Sequence, residues 1–185
     1  DPLEPFGFRA QVAAYSGIFF ALPVIFYQLW RFIAPGLYRK EKVYAATFVV
    51  VSTTLFLAGA AVAYLTLPKA LEFLLSVGGE GINNLTNVTK YTTLVLFTMA
   101  AFGVGFEFPI VLIALQFVGI VQPSTLARWR REAVVGITAL AALITPSVDP
   151  ISMFALAIPL YVFYEVSILV GKLIVRRREK ALRSS

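Results

Sequence analysis

The chain has 185 residues, of which 59% are hydrophobic and 14% charged, with a formal net charge of +6 and a mean hydropathy of +0.82. Apolar windows of about 20 residues recur along it, which a water-soluble domain does not tolerate, so it reads as an all-α, polytopic integral membrane protein. It contains no Cys and no His, which excludes disulfides, the common zinc and haem ligand sets and imidazole acid–base chemistry, and no cofactor is expected.

Residues 1–5, with Pro2 and Pro5, read as an extended outer loop leading into a first span over 8–29 that bends near Pro23. A loop over 30–42 follows. The second span, 43–67, carries Gly59, Ala60, Ala61 and Ala63, small residues that let another helix come close. Pro68 opens an outer segment, 68–90, in which 69–77 repeats apolar positions at helical spacing and reads as a short amphipathic surface helix before a Gly/Asn-rich loop. The third span, 91–121, is half as long again as a hydrocarbon core of about 30 Å requires, so it tilts, bends at Pro109 or projects. After a loop over 122–132, the stretch 133–148 and the last span, 152–170, are both short. The apolar part of the former, 133–145, falls below the usual span of roughly 17 to 25 residues, which calls for thinned bilayer or a re-entrant hairpin. Residues 171–185 form a basic, solvated tail.

The cations set the orientation. Arg31, Arg39, Lys40 and Lys42, then Arg128, Arg130 and Arg131, then Lys172, Arg176, Arg177, Arg178, Lys180 and Arg183 fall on one side, leaving only Arg9, Lys69 and Lys90 on the other. The positive-inside rule makes the first side cytoplasmic, with the C-terminus inside and Asp1 outside. The basic balance is thus explained by topology and needs no nucleic acid. Five spans with an outside start imply a further helix ahead of Asp1, giving six spans in the intact protein.

Four places carry polar groups worth weighing. Glu107 is the only ionisable side chain between Tyr91 and Val121. A charge at bilayer depth costs on the order of 2.5 to 3.5 kcal/mol even on forgiving scales, so it must face protein, water or a partner. Pro109 deprives the Gly105 carbonyl of its helical donor, and Gly103 and Gly105 keep the neighbourhood small. Glu107 is therefore a helix-packing carboxyl, an anchor for an inserted helix or peptide, or a proton site. In the first loop, Glu41 stands among four cations beside Phe32, Tyr38 and the Pro35-Gly36 turn. An internal ion pair is the plain reading, and a bidentate hold on a partner's arginine is the functional one. Glu165 reads first as a packing carboxyl of the last span, and Asp149 as its helix cap.

Three segments, LPVIFYQLWRFIAPGLYRKE over 22–41, AFGVGFEFP over 101–109 and TPSVDP over 145–150, together resemble the TatC family, the multispanning core of the twin-arginine protein translocase. The resemblance runs in the same order over nearly the whole chain. It implies a six-helix, cup-shaped protein of the bacterial inner membrane, five of whose spans are present here. It also implies recognition of twin-arginine signal peptides of folded proteins, assembly with single-span TatA-type and TatB-type subunits, and self-association. By the same resemblance, Phe32 and Glu41, with Pro35, Tyr38 and Lys40, match the signal-peptide site. Glu107 matches the intramembrane carboxylate and Glu165 a second polar position. Leu143, Thr145 and Pro146 match a partner-docking helix. The competing class is a proton-coupled small-molecule transporter using Glu107, for which broken helices paired in two repeats at the midplane are expected, and the sequence shows no convincing internal repeat.

Overall fold

A computed structural model describes residues 4–33, 42–78, 88–145 and 149–183. All the secondary structure in these segments is helical. The elements are α1 (Glu4–Ile33), α2 (Lys42–Gly78), α3 (Val88–Phe106), α4 (Phe108–Val118), α5 (Pro123–Arg128), α6 (Arg130–Ile144) and α7 (Pro150–Arg183). Four stretches are long and apolar enough to cross a membrane: Phe6–Arg31, Ala46–Phe73, Thr89–Val118 across the α3/α4 junction, and Pro150–Arg176. At 15 residues, α6 reaches only about 22 Å at 1.5 Å per residue, short of a hydrocarbon core.

The helices differ in extent from the sequence reading in four places. α1 begins at Glu4, inside the expected outer loop, and Pro23 lies within it without ending it. α2 continues through Pro68 to Gly78, where the sequence suggests a span ending at 67 and a separate surface helix. The reason is a phase that never breaks. Ser52, Phe56, Ala60, Ala63, Leu67 and Ala70 are all buried, three or four residues apart, on both sides of the proline. Residues 122–132 fold as α5 and the first turn of α6. Finally, α7 extends to Arg183, so the basic segment expected as a tail is helical as far as that residue.

Close approach of α2 and α3 organises the bundle. A Cβ at Gly59 would stand 2.6 Å from the Phe102 carbonyl oxygen, and one at Gly103 would stand 2.7 Å from the Phe56 ring. Apolar contact between helices gains little from water in a bilayer, so such fitting of surfaces is what holds spans together. Of the four small residues marked on α2, Gly59, Ala60 and Ala63 are buried, whereas Ala61 is exposed.

Two clusters result. One joins Ala63, Phe102, Phe106, Ile137, Ala141, Leu156, Leu160, Tyr164 and Ile168, so α7 is the post against which α2, α3 and α6 lean. The other joins Leu22, Phe26, Trp30, Phe56, Ile110 and Ala114, attaching α1 to α2 and α4. At the end where α1 finishes, Trp30 stacks on Phe48 at 4.5 Å, and Phe48 meets Phe117 edge-on at 6.4 Å. At the opposite end, Thr93 donates to Gln11 Oε1 at 2.9 Å, tying α3 to α1. Gly119, at φ +88°, ends α4 in the left-handed conformation that glycine adopts without penalty, and its N–H bonds the Leu115 and Gln116 carbonyls. The chain there turns into α5, where Pro123 occupies the first helical position.

Candidate functional site

The break between α3 and α4 is centred on Glu107. Pro109, without an N–H, falls in the first turn of α4, where a missing donor costs little, and Glu107 becomes the residue that caps that helix. The Glu107 N–H bonds the Val104 carbonyl at 3.1 Å, and the Glu107 carbonyl accepts from Ile110 and Val111, both at 3.1 Å. The polypeptide therefore crosses the junction with its helical path nearly intact. The Glu107 side chain makes no capping hydrogen bond to that helix.

The neighbours of that side chain follow from the α2–α3 register. The helices run antiparallel with Phe56 against Gly103, so one turn further along each brings Ser52 beside Glu107. That places the Ser52 hydroxyl next to the Glu107 carboxyl. Ser52 is wholly buried and accepts a hydrogen bond from the Trp30 indole Nε1 at 3.1 Å. Phe106 and Ile110 are buried on either side of Glu107 along the chain. Glu107 itself is half-buried, and its Oε1 is buried with no hydrogen-bond partner among the described residues. A carboxyl held in an apolar wall with one oxygen unused can accept a hydrogen bond from an incoming donor.

A second polar cluster sits where α5 and α6 meet α7. Arg130 donates to Glu165 Oε2 at 2.8 Å, and the Tyr161 hydroxyl lies 3.4 Å from Oε1. Tyr164 donates to the Leu126 carbonyl at 2.7 Å. Gln116 Nε2 donates to the Leu112 and Ser167 carbonyls at 3.2 and 3.1 Å, while its Oε1 is buried without a partner. Any side chain at residue 171 would collide with that carboxamide, so Gly171 is what lets α4 and α7 close here. Glu165 thus has partners for both oxygens, which fits the packing carboxyl of the sequence reading.

Both carboxylates marked as intramembrane positions are described, but they lie in separate clusters, each engaging different elements. Glu41, Pro35, Tyr38, Lys40 and Pro146 lie outside the described residues. Phe32 belongs to the last turn of α1. On α6, Leu143 is strongly exposed, whereas Thr145 is buried with its hydroxyl donated to the Ala141 carbonyl at 2.8 Å. Asp149 Oδ1 accepts the Ser152 N–H at 2.7 Å, the capping role expected of it. Sequence reasoning missed Trp30, Ser52 and Gln116. Ser52 was accessible in principle, since it extends the Phe56, Ala60, Ala63 stripe by one turn.

The family described as "Sec-independent protein translocase protein (TatC)" matches residues 1–159. The chain belongs to the TatC family. The TatC protein of Aquifex aeolicus is 39% identical over 183 residues, covering 97% of this chain and 75% of the relative. That of Frankia casuarinae is 39% identical over 175 residues, covering 95% and 48%. TatCy of Bacillus subtilis is 37% identical over 183 residues, covering 98% and 70%. Among solved structures, one titled "Crystal Structure of Twin Arginine Translocase Receptor- TatC" superposes with a TM-score of 0.69 at 40% identity, over 95% of this chain and 77% of that one. A second, of TatC in DDM, gives 0.70 at 39% identity over 92% and 76%. The chain therefore spans about half the length of the Frankia relative and about three quarters of the Aquifex one. These relatives are named as protein translocase components, a transport function and not an enzymatic one.

Proposed function

We propose that this chain is the membrane core of a twin-arginine translocase receptor, binding twin-arginine signal peptides of folded proteins in the bacterial inner membrane and assembling with single-span subunits. The observation that carries this reading is the family match over residues 1–159, joined to likeness with a structure titled as a twin-arginine translocase receptor. In this reading the cation-rich end of the bundle, with the end of α1, the start of α2 and α5, faces the cytoplasm, as does the C-terminus. Glu41 takes the paired arginines through bidentate hydrogen bonds, which a guanidinium fork makes and an ammonium does not. Phe32 packs beside them, with Pro35, Tyr38 and Lys40 shaping the same loop.

Glu107 serves as the docking carboxylate for an inserted apolar helix that carries a hydrogen-bond donor. Its buried, unpartnered Oε1 supports that role over the packing reading. The exposed face of α6, with Val135 and Leu143, is the surface offered to a partner helix. Thr145, buried and already bonded, would position this face without touching the partner.

The test is binding of a labelled twin-arginine signal peptide, and its twin-lysine counterpart, to the full-length protein in nanodiscs. Arginine binding is expected to exceed lysine binding by about tenfold or more, the worth of a hydrogen bond between charged groups, and to fall to the lysine level in Glu41→Gln. Equal binding of both peptides in the unmodified protein would overturn the reading.

A further inference from the structure

Three observations converge on Ser52. Its neighbours Thr53 and Thr54 donate back to the Val49 and Val50 carbonyls at 2.8 Å, the ordinary fate of a helix hydroxyl in an apolar setting. Ser52 instead accepts from an indole on another helix. That leaves its own proton to be aimed by the surroundings, and the register of α2 on α3, with Phe56 against Gly103, places the Glu107 carboxyl one turn further along beside it. Lastly, the indole that fixes the Ser52 oxygen is itself immobilised. Trp30 is buried and stacked on Phe48, whose ring is edged by Phe117.

We infer that Trp30 and Ser52 form a relay of positioning residues that aims the Glu107 carboxyl, holding one side of it from α2 so that Oε1 stays unpaired until an incoming helix brings a donor. The inference rests on the reading of Glu107 as a docking carboxylate and adds the groups that orient it. The chemistry is directional. An indole N–H is only a donor, so the hydroxyl of Ser52 becomes an acceptor towards Trp30 and a donor towards Glu107. A carboxyl without that donor would turn freely about its last torsion, which is broad and two-fold, and would present either oxygen or neither. The relay also begins one residue before Arg31 and ends at the α3/α4 break, so it joins the end of α1 to the carboxylate through two side chains.

The test uses the full-length protein with its partner subunits. In a Trp129→Phe background Trp30 is the only tryptophan of these 185 residues, and any tryptophan elsewhere in the full-length protein or in its partner subunits is replaced by phenylalanine as well. Trp129 is exposed and lies outside the site. The inference expects Glu107→Gln to shift the Trp30 emission maximum, and expects that shift to vanish once Ser52→Ala is present, because the hydroxyl is the link the relay supplies. In transport, Ser52→Ala and Trp30→Phe are each expected to lower the rate about tenfold alone and less than twofold when added to Glu107→Gln. Should Ser52→Ala fail to accumulate, the Trp30→Phe cycle decides. Equal losses in both backgrounds, or an emission shift that survives Ser52→Ala, would reduce these residues to packing and overturn the inference. Normal transport and partner assembly in Glu107→Gln would instead remove the docking role of Glu107, and with it this relay's purpose.

Discussion

Glycine-to-alanine exchange separates the contacts that hold this bundle from those that merely occur in it, because one chemical change can be made at sites with different surroundings. At Gly59 the added methyl would meet the Phe102 carbonyl oxygen at 2.6 Å and its carbon at 2.9 Å. These are backbone atoms of the neighbouring helix, so relief requires α3 to move as a body. At Gly103 the methyl would meet three atoms of the Phe56 ring at 2.7 to 2.8 Å. That ring is buried and boxed by Phe19 at 5.5 Å and Phe26 at 6.2 Å, so it cannot swing aside. Gly136 has nothing within 4 Å. There alanine only removes the conformational entropy that glycine loses on folding, a gain of roughly 0.5 to 1 kcal/mol. Overpacking costs about 1 to 3 kcal/mol, so Gly59→Ala and Gly103→Ala are each expected to lie about 2 kcal/mol or more below Gly136→Ala. At roughly 2 to 4 °C per kcal/mol for a chain of this size, the gap in melting temperature is on the order of 4 to 8 °C. Thermal unfolding of the purified full-length protein in detergent measures it. A Gly59→Ala variant as stable as Gly136→Ala would mean that α2 and α3 are not in contact through these glycines, and the placement of Ser52 beside Glu107 would go with it.

Two further outcomes test the second polar cluster. Tyr164→Phe removes the donor to the Leu126 carbonyl at a buried site and is expected to cost about 0.5 to 1.5 kcal/mol, read as a lower midpoint in the same melting assay. Arg130→Ala breaks an ion pair whose partners are both substantially exposed, so it is expected to cost less than about 1 kcal/mol and to leave signal-peptide binding unchanged; a large loss of binding would give this pair a role beyond packing.

The sequence announces its membrane helices by length and hydropathy, and Glu107 by contrast, since one carboxylate in thirty apolar residues has nowhere to hide. Pro109 likewise marks the α3/α4 junction in advance, because the loss of its N–H is a local fact. Helix ends were less legible. Pro68 is a breaker by local rules, yet the buried stripe on α2 runs through it, and packing against α3 and α7 outweighs one lost backbone bond. The relay was illegible for a different reason. A serine in an apolar helix satisfies itself locally in most settings, and only the register of α1 on α2 shows that Trp30, 22 residues earlier, supplies its donor. The Arg130–Glu165 pair spans 35 residues in the same way. Such pairings depend on helices docking in one register, which no local pattern encodes.

Glu165, Gln116 and Glu107 meet different ends, and the difference singles out one of them. Glu165 engages Arg130 and Tyr161, so both oxygens are occupied. Gln116 has an unpartnered oxygen, but its side chain is 4% exposed and boxed by Gly171 and Pro123, so no helix can reach it. Its amide protons already tie α4 to α7, and the orphan oxygen is the cost of that tie. Glu107 also has a buried, unpartnered oxygen, but on a side chain that is only half-buried. An unmet acceptor in an apolar wall costs free energy until a donor arrives, and that cost becomes binding energy when a partner helix brings one. On the proposed reading, the unsatisfied state of Glu107 is what makes it a docking point, and its orientation, not merely its presence, decides which helix can dock.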